Sequence, residues 1–164
     1  MQDCDVAMPI SEKDLINART AWGNGLIEIS KTFETEGIEM ATSVASEMID
    51  NLYGFNFAKV LFKPTLSGGS QTFRPTKEGA LSYFVGHNPS YPNDSGFGIK
   101  FWREISSETS AIFIDDTVAM WMGWVVLIDR DGQVTKVDKS WGYKLDDVGN
   151  LRIVLHHSSL PYEL

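Results

Sequence analysis

The chain lacks most of what would assign a function at a glance. Its 164 residues include one cysteine, Cys4, so no intramolecular disulfide forms and no cysteine-based zinc site can be assembled. Lys and Arg number 14 against 22 Asp and Glu, giving a formal charge of −8 with no basic cluster. That balance excludes the electrostatic footprint of a nucleic-acid binder and argues against an anionic membrane as partner. No stretch approaches the roughly 18 apolar residues of a membrane span. The start, Met1-Gln2-Asp3-Cys4-Asp5, shows no basic region followed by an apolar run, so no signal peptide is read there and a cytoplasmic location is the expectation. A GxSxG elbow is absent, and Ser67-Gly68-Gly69-Ser70 lacks the lysine and spacing of a phosphate-binding loop, which leaves it a turn.

Histidine is scarce as well: His87, His156 and His157. Neighbouring residues on a strand point to opposite faces, so the His-His pair cannot grip one ion, and no HxH or HExxH spacing exists. The expectation is therefore no metal and no other cofactor, with a weaker carboxylate-rich magnesium or manganese site as the alternative left open. Asp129-x-Asp131-Gly132 is a fragment of a calcium-loop pattern without the later ligands, and a hairpin turn accounts for it.

What is present suits one globular domain. Hydrophobic residues make up 43% and aromatics 12%, enough for a substantial core, and residues 11–164 read as a single domain behind a polar lead, 1–10. Ser11 followed by Glu12 and Asp14 marks a helix start, and Leu15, Ala18, Trp22, Leu26, Ile29 and Phe33 then recur at spacings of three and four. Gly23 and Gly25 weaken this helix locally, and Gly37 stops it. A second helical pattern, Ala41, Val44, Met48 and Leu52, runs to Gly54. Residues 57–63 read as a strand closed by Pro64, and Thr76 caps a short helix carrying Tyr83 and ending near Gly86. Strand-like segments follow at about 97–107, 109–114, 117–128, 133–144 and 150–160, joined by Asp- and Gly-rich turns. Helices first and a meander afterwards predict an α+β fold with the helices packed on a strongly curved antiparallel sheet. Residues 118–128 are apolar at nearly every position, which predicts that both faces of that strand are covered, one of them by a second copy in a homodimer.

The tail concentrates chemistry. Leu151-Arg152-Ile153-Val154-Leu155 runs into His156-His157-Ser158-Ser159 before Pro161. Alternation places His156 and Ser158 on one face with Val154, and His157 and Ser159 on the other with Leu155. With nucleophile elbows and metals set aside, hydroxyl chemistry remains: Thr65 past Pro64, Tyr83 on the short helix, and Ser158. Each also has an ordinary role open to it, as turn former, core aromatic or strand end.

The blocks Val60-Leu61-Phe62-Lys63-Pro64-Thr65, Phe73-Arg74-Pro75-Thr76, Glu78-Gly79-Ala80-Leu81-Ser82-Tyr83-Phe84-Val85-Gly86, Asp94-Ser95-Gly96-Phe97, Gly142-Tyr143 and Leu151 to Tyr162 resemble the iota-class carbonic anhydrases along nearly the whole domain. The resemblance implies the cystatin-like cone of nuclear transport factor 2-like proteins, shared with the association domain of calmodulin-dependent protein kinase II. It implies reversible hydration of carbon dioxide to bicarbonate without a metal, at a site built from Thr65, Tyr83 and Ser158. Strand parity adds His156 as a neighbour and proton relay. Lys139-Ser140-Trp141 departs from the family's more aromatic, threonine-bearing run. The competing expectations are a non-catalytic oligomerisation or small-ligand-binding module of the kinase-association type, and an isomerase- or cyclase-like enzyme with a large apolar cavity and a buried carboxylate.

Overall fold

The computed structural model describes residues 8–164, so Cys4 and most of the lead lie outside the described residues. Helix α1, Glu12–Glu36, opens on a capping box: the Asp14 N–H donates to the Ser11 hydroxyl, and the Asp14 carboxylate accepts from the Ser11 N–H at 2.8 Å. It runs unbroken through Gly23 and Gly25, which serve close packing. A Cβ on Gly25 would lie 2.6 Å from the Met48 sulfur, and one on Gly23 would lie 3.2 Å from Ile105. Gly37, at φ 88°, ends α1 and leads directly into α2, Ile38–Leu52. The third helix, α3, covers Lys77–Val85, capped by Thr76.

Five strands follow the order β1-β5-β4-β3-β2: β1 Leu61–Lys63, β2 Trp102–Asp115, β3 Val118–Asp129, β4 Val134–Leu145 and β5 Leu151–Ser159. The last four form the expected antiparallel meander, while β1 adds to β5 in parallel, so the sheet is mixed. The expected strand over 57–63 shrinks to three residues, because Phe57 folds back in a turn whose N–H bonds the Gly54 carbonyl, and Pro64 has no N–H to extend the ladder. The segments at 97–107 and 109–114 are one strand, with a register shift between Thr109 and Ala111. Phe97–Ile99 is instead a short 3-10 turn, tied to α1 where Ser30 donates to the Gly98 carbonyl and accepts from the Trp102 N–H. The Asp129 carboxylate accepts from the N–H groups of Asp131 and Gln133 at 2.9 Å each, which is hairpin chemistry.

The helices cover one face of the sheet, burying Leu15, Trp22, Leu26 and Ile29 against Trp121, Val125, Leu127 and Trp141. On β3 the alternation is strict: Ala119, Trp121, Val125 and Leu127 are buried, whereas Met120 and Met122 are exposed. Within one chain, then, the helices cover one face of β3 as expected, and the second face is open. Among the described residues no helix is long and apolar enough to cross a membrane.

Candidate active site

Three elements bring the predicted hydroxyls together. The parallel β1–β5 pairing, with Lys63 opposite His157, sets Thr65 just past the end of β1 beside Ser158 near the end of β5. Lys63 reinforces this junction by donating from Nζ to the Ser158 carbonyl at 2.8 Å. Thr65 Oγ1 and Ser158 Oγ are hydrogen-bonded at 2.7 Å, both buried. Helix α3 presents Tyr83 from the other side, stacked on Phe97 and edge-on to Phe62, with its oxygen accepting from the Leu66 N–H at 3.3 Å. Burial pushes the Tyr83 hydroxyl above its ordinary value, against the opposing pull of hydrogen bonds from Thr65 and Leu66, so it is a phenol and a donor. A cleft of about 20 Å³, lined by Leu66, Tyr83, Asp94, Gly96, Phe97 and Lys100, is large enough for about one water.

The parity argument holds at its decisive residues: His156 and Ser158 are buried, while His157 is exposed. Val154 does not share their face. Tyr143 pairs with Ile153 and Gly142 with Leu155, so β5 bulges there by one residue and Ile153 takes the inward position. His156 lies one pair further in, stacked on Phe62 with ring centroids 4.7 Å apart. Its ring bonds none of the three hydroxyls. Nδ1 meets the Tyr53 hydroxyl at 2.8 Å, and that oxygen accepts from Trp22 Nε1 at 3.0 Å. Burial first, then the nearby Lys139 and His157, hold the imidazole neutral well below its ordinary range.

Beside these hydroxyls lies a buried amine that the sequence motifs did not single out, Lys139. It sits directly across β4–β5 from Ser158, at 2% exposure, with Nζ 3.0 Å from Ser158 Oγ and 3.0 Å from His156 Nε2. As an ammonium its third proton faces the Trp22 ring, 4.8 Å from the centroid. Among the described residues no carboxylate pairs with it. Burial lowers its pKa to about 7, Asp138 pulling the other way and Lys63 adding to the fall. The sequence did carry a signal, since Lys139 shares parity with Val137, Trp141 and Tyr143, all inward on β4.

Behind Tyr83, Arg74 and Asp94 form a buried bidentate pair at 2.7 Å on both arms, and Asp94 also accepts from Ser82 at 2.7 Å. The Arg74-Pro75, Leu81-Ser82-Tyr83 and Asp94-Ser95-Gly96 blocks thus meet in one structural unit. A family model described as metal-independent carbonic anhydrase matches residues 13–160.

The chain belongs to the metal-independent carbonic anhydrase family.

It is 46% identical over 154 residues to the metal-independent carbonic anhydrase of Nostoc sp. (strain PCC 7120 / SAG 25.82 / UTEX 2576), across 94% of this chain and 75% of that protein. The crystal structure of a cyanobacterial iota-carbonic anhydrase complexed with bicarbonate superposes with a TM-score of 0.96, at 44% identity and full coverage of both chains. A putative calcium/calmodulin-dependent protein kinase II association domain from Xanthomonas campestris, at 19% identity and TM-score 0.62 over 100% of this chain and 99% of its own, shows the shared fold. For this metal-independent carbonic anhydrase the isomerase-like reading finds no support in the cavities. A cavity of about 720 Å³ between α1 and the β4–β5 turn is lined by Asp14, whose carboxylate is exposed and engaged in the Ser11 cap.

Proposed function

We propose that Thr65, Tyr83 and Ser158 form the site where this metal-independent carbonic anhydrase hydrates carbon dioxide, and that Lys139 receives the proton. The observation that carries this reading is a buried amine at the inner end of a hydroxyl chain, 3.0 Å from Ser158, where burial lowers its pKa to about 7. A base is most useful when it titrates near working pH, and free hydroxyls do not. Water held by Thr65 and Ser158 forms its C–O bond to carbon dioxide while one C=O electron pair moves onto oxygen. The proton passes through the Ser158 and Thr65 hydroxyls to the free amine of Lys139, leaving bicarbonate and an ammonium. The Tyr83 phenol donates to the oxygen that acquires charge, in a pocket where donors are already oriented. His156, neutral, accepts from the ammonium at Nε2 and donates from Nδ1 to Tyr53, which holds Lys139 in place. The product ammonium then returns its proton to solvent to restore the base.

The test is carbon dioxide hydration by purified protein after exhaustive chelation. Activity is retained in wild type, and Tyr83→Phe, which keeps the stacking on Phe97, falls on the order of 100-fold with its fold intact. Loss on chelation with recovery on adding zinc overturns the metal-free site. Unchanged activity in Tyr83→Phe overturns the role of the phenol.

We further propose that a second copy covers the open face of β3. Phe113, Met120 and Met122 are 46–57% exposed and adjoin across β2 and β3, an apolar surface suited to an isologous two-fold contact.

A further inference from the structure

Arg19 occupies a core position of α1, between Leu15 and Trp22, and is 9% exposed. Its Nε donates to Ser107 Oγ at 3.1 Å, and the Trp121 ring covers one face of the guanidinium at 4.8 Å. Nη1 is buried without a hydrogen-bond partner, and among the described residues no carboxylate neutralises the charge. Among the described residues one other buried side-chain donor is left without a partner, Trp141 Nε1. Both residues line the same cavity of about 100 Å³, whose other walls include Trp22, Asn24, Ser107 and Val125. A volume of that size takes several waters or one four-atom anion.

Buried guanidinium groups are ordinarily paired, because an isolated charge in a low-dielectric interior is costly. The aromatic face and Ser107 occupy the plane and the Nε edge of Arg19, which leaves the Nη1 edge for an acceptor. Water there would satisfy hydrogen bonds and leave the charge uncompensated. We propose that Arg19 and Trp141 form a second anion site, distinct from the Thr65 hydroxyls, that takes a small trigonal oxyanion of the size and charge of bicarbonate. Trp22 and Trp141 separate the two sites: both line this cavity, and both lie within 6 Å of Lys139 Nζ. The site's existence does not depend on turnover, so its test reads binding rather than hydration.

Crystals of the whole protein soaked in sodium bicarbonate should show trigonal density bonded to Arg19 Nη1 and Trp141 Nε1. Waters alone in the cavity, or a carboxylate from a neighbouring subunit filling it, overturn the proposal. In solution, bicarbonate titrated at fixed pH against a sodium gluconate background should change tryptophan fluorescence saturably in Ser158→Ala protein, where the hydroxyl site is disabled. Adding Arg19→Gln should weaken that response about tenfold or more, since the cation and its charge-assisted Nη1 hydrogen bond are lost. An unchanged response overturns the site. Circular dichroism checks the fold of the double variant; if it is unfolded, the soaked wild-type crystal alone decides.

Discussion

At the scale of one residue, the proposed role of Lys139 ties activity to pH. Its amine must be free to accept the proton, so hydration should rise with pH through a midpoint near 7, the pKa to which burial lowers it. Lys139→Met should abolish that midpoint along with most of the rate, and Lys139→Arg should be inactive at every pH because a guanidinium does not release its proton. Stability carries the same signature. The folded-state pKa lies below the unfolded 10.5, so between about pH 7 and 10 the unfolded chain binds more protons and stability rises with pH, by up to about 1.4 kcal/mol per unit. Above pH 10 the buried phenols Tyr53, Tyr83 and Tyr143, all raised, reverse the trend as they ionise on unfolding. Urea unfolding across this range should show the rise in wild type and its absence in Lys139→Met. A flat wild-type curve would mean that Lys139 is not desolvated as described.

At the scale of elements, the decisive contacts lie between segments distant in sequence. Asp94, in the loop after α3, closes the Arg74 fork and the Ser82 hydroxyl, and so holds that loop beneath Tyr83. Asp94→Ala leaves a guanidinium at 3% exposure without its partner, for which a loss of about 3–5 kcal/mol is expected in chemical denaturation. A loss under 1 kcal/mol would show that solvent reaches Arg74. Helices α1, α2 and α3 were legible in sequence because caps and three-four spacing are local. β1 was overestimated because its short apolar run gives no sign that Phe57 turns back on Gly54. Its parallel partner could not be read at all, since Leu61 and Leu155 lie 94 positions apart in the chain.

For the whole molecule, the open face of β3 is the proposed assembly surface. Light scattering at micromolar concentration should give a dimer, and Met120→Lys with Met122→Lys should give folded monomers, because each places a charge where an apolar face would be buried. A monomeric wild type would overturn the assignment of that face. Sequence showed the strand's composition correctly, but composition does not say whether the second face is covered by the same chain or by another.

Local chemistry in the sequence determined the α+β order, the helix caps, the Asp-Gly turns and the family's hydroxyl-bearing blocks, since each depends on residues within a few positions of one another. Tertiary structure decided which hydroxyls touch and what lies behind them. The register of β4 on β5 sets Lys139 opposite Ser158 and Trp141 opposite His156, and a one-residue bulge near Ile153 keeps those inward faces aligned along the strand. Side-chain period along a strand is two, so a slip of one residue would have turned Lys139 and Ser158 outward together. The amine's lowered pKa likewise exists only because Trp22, Trp141 and His156 surround it in the fold.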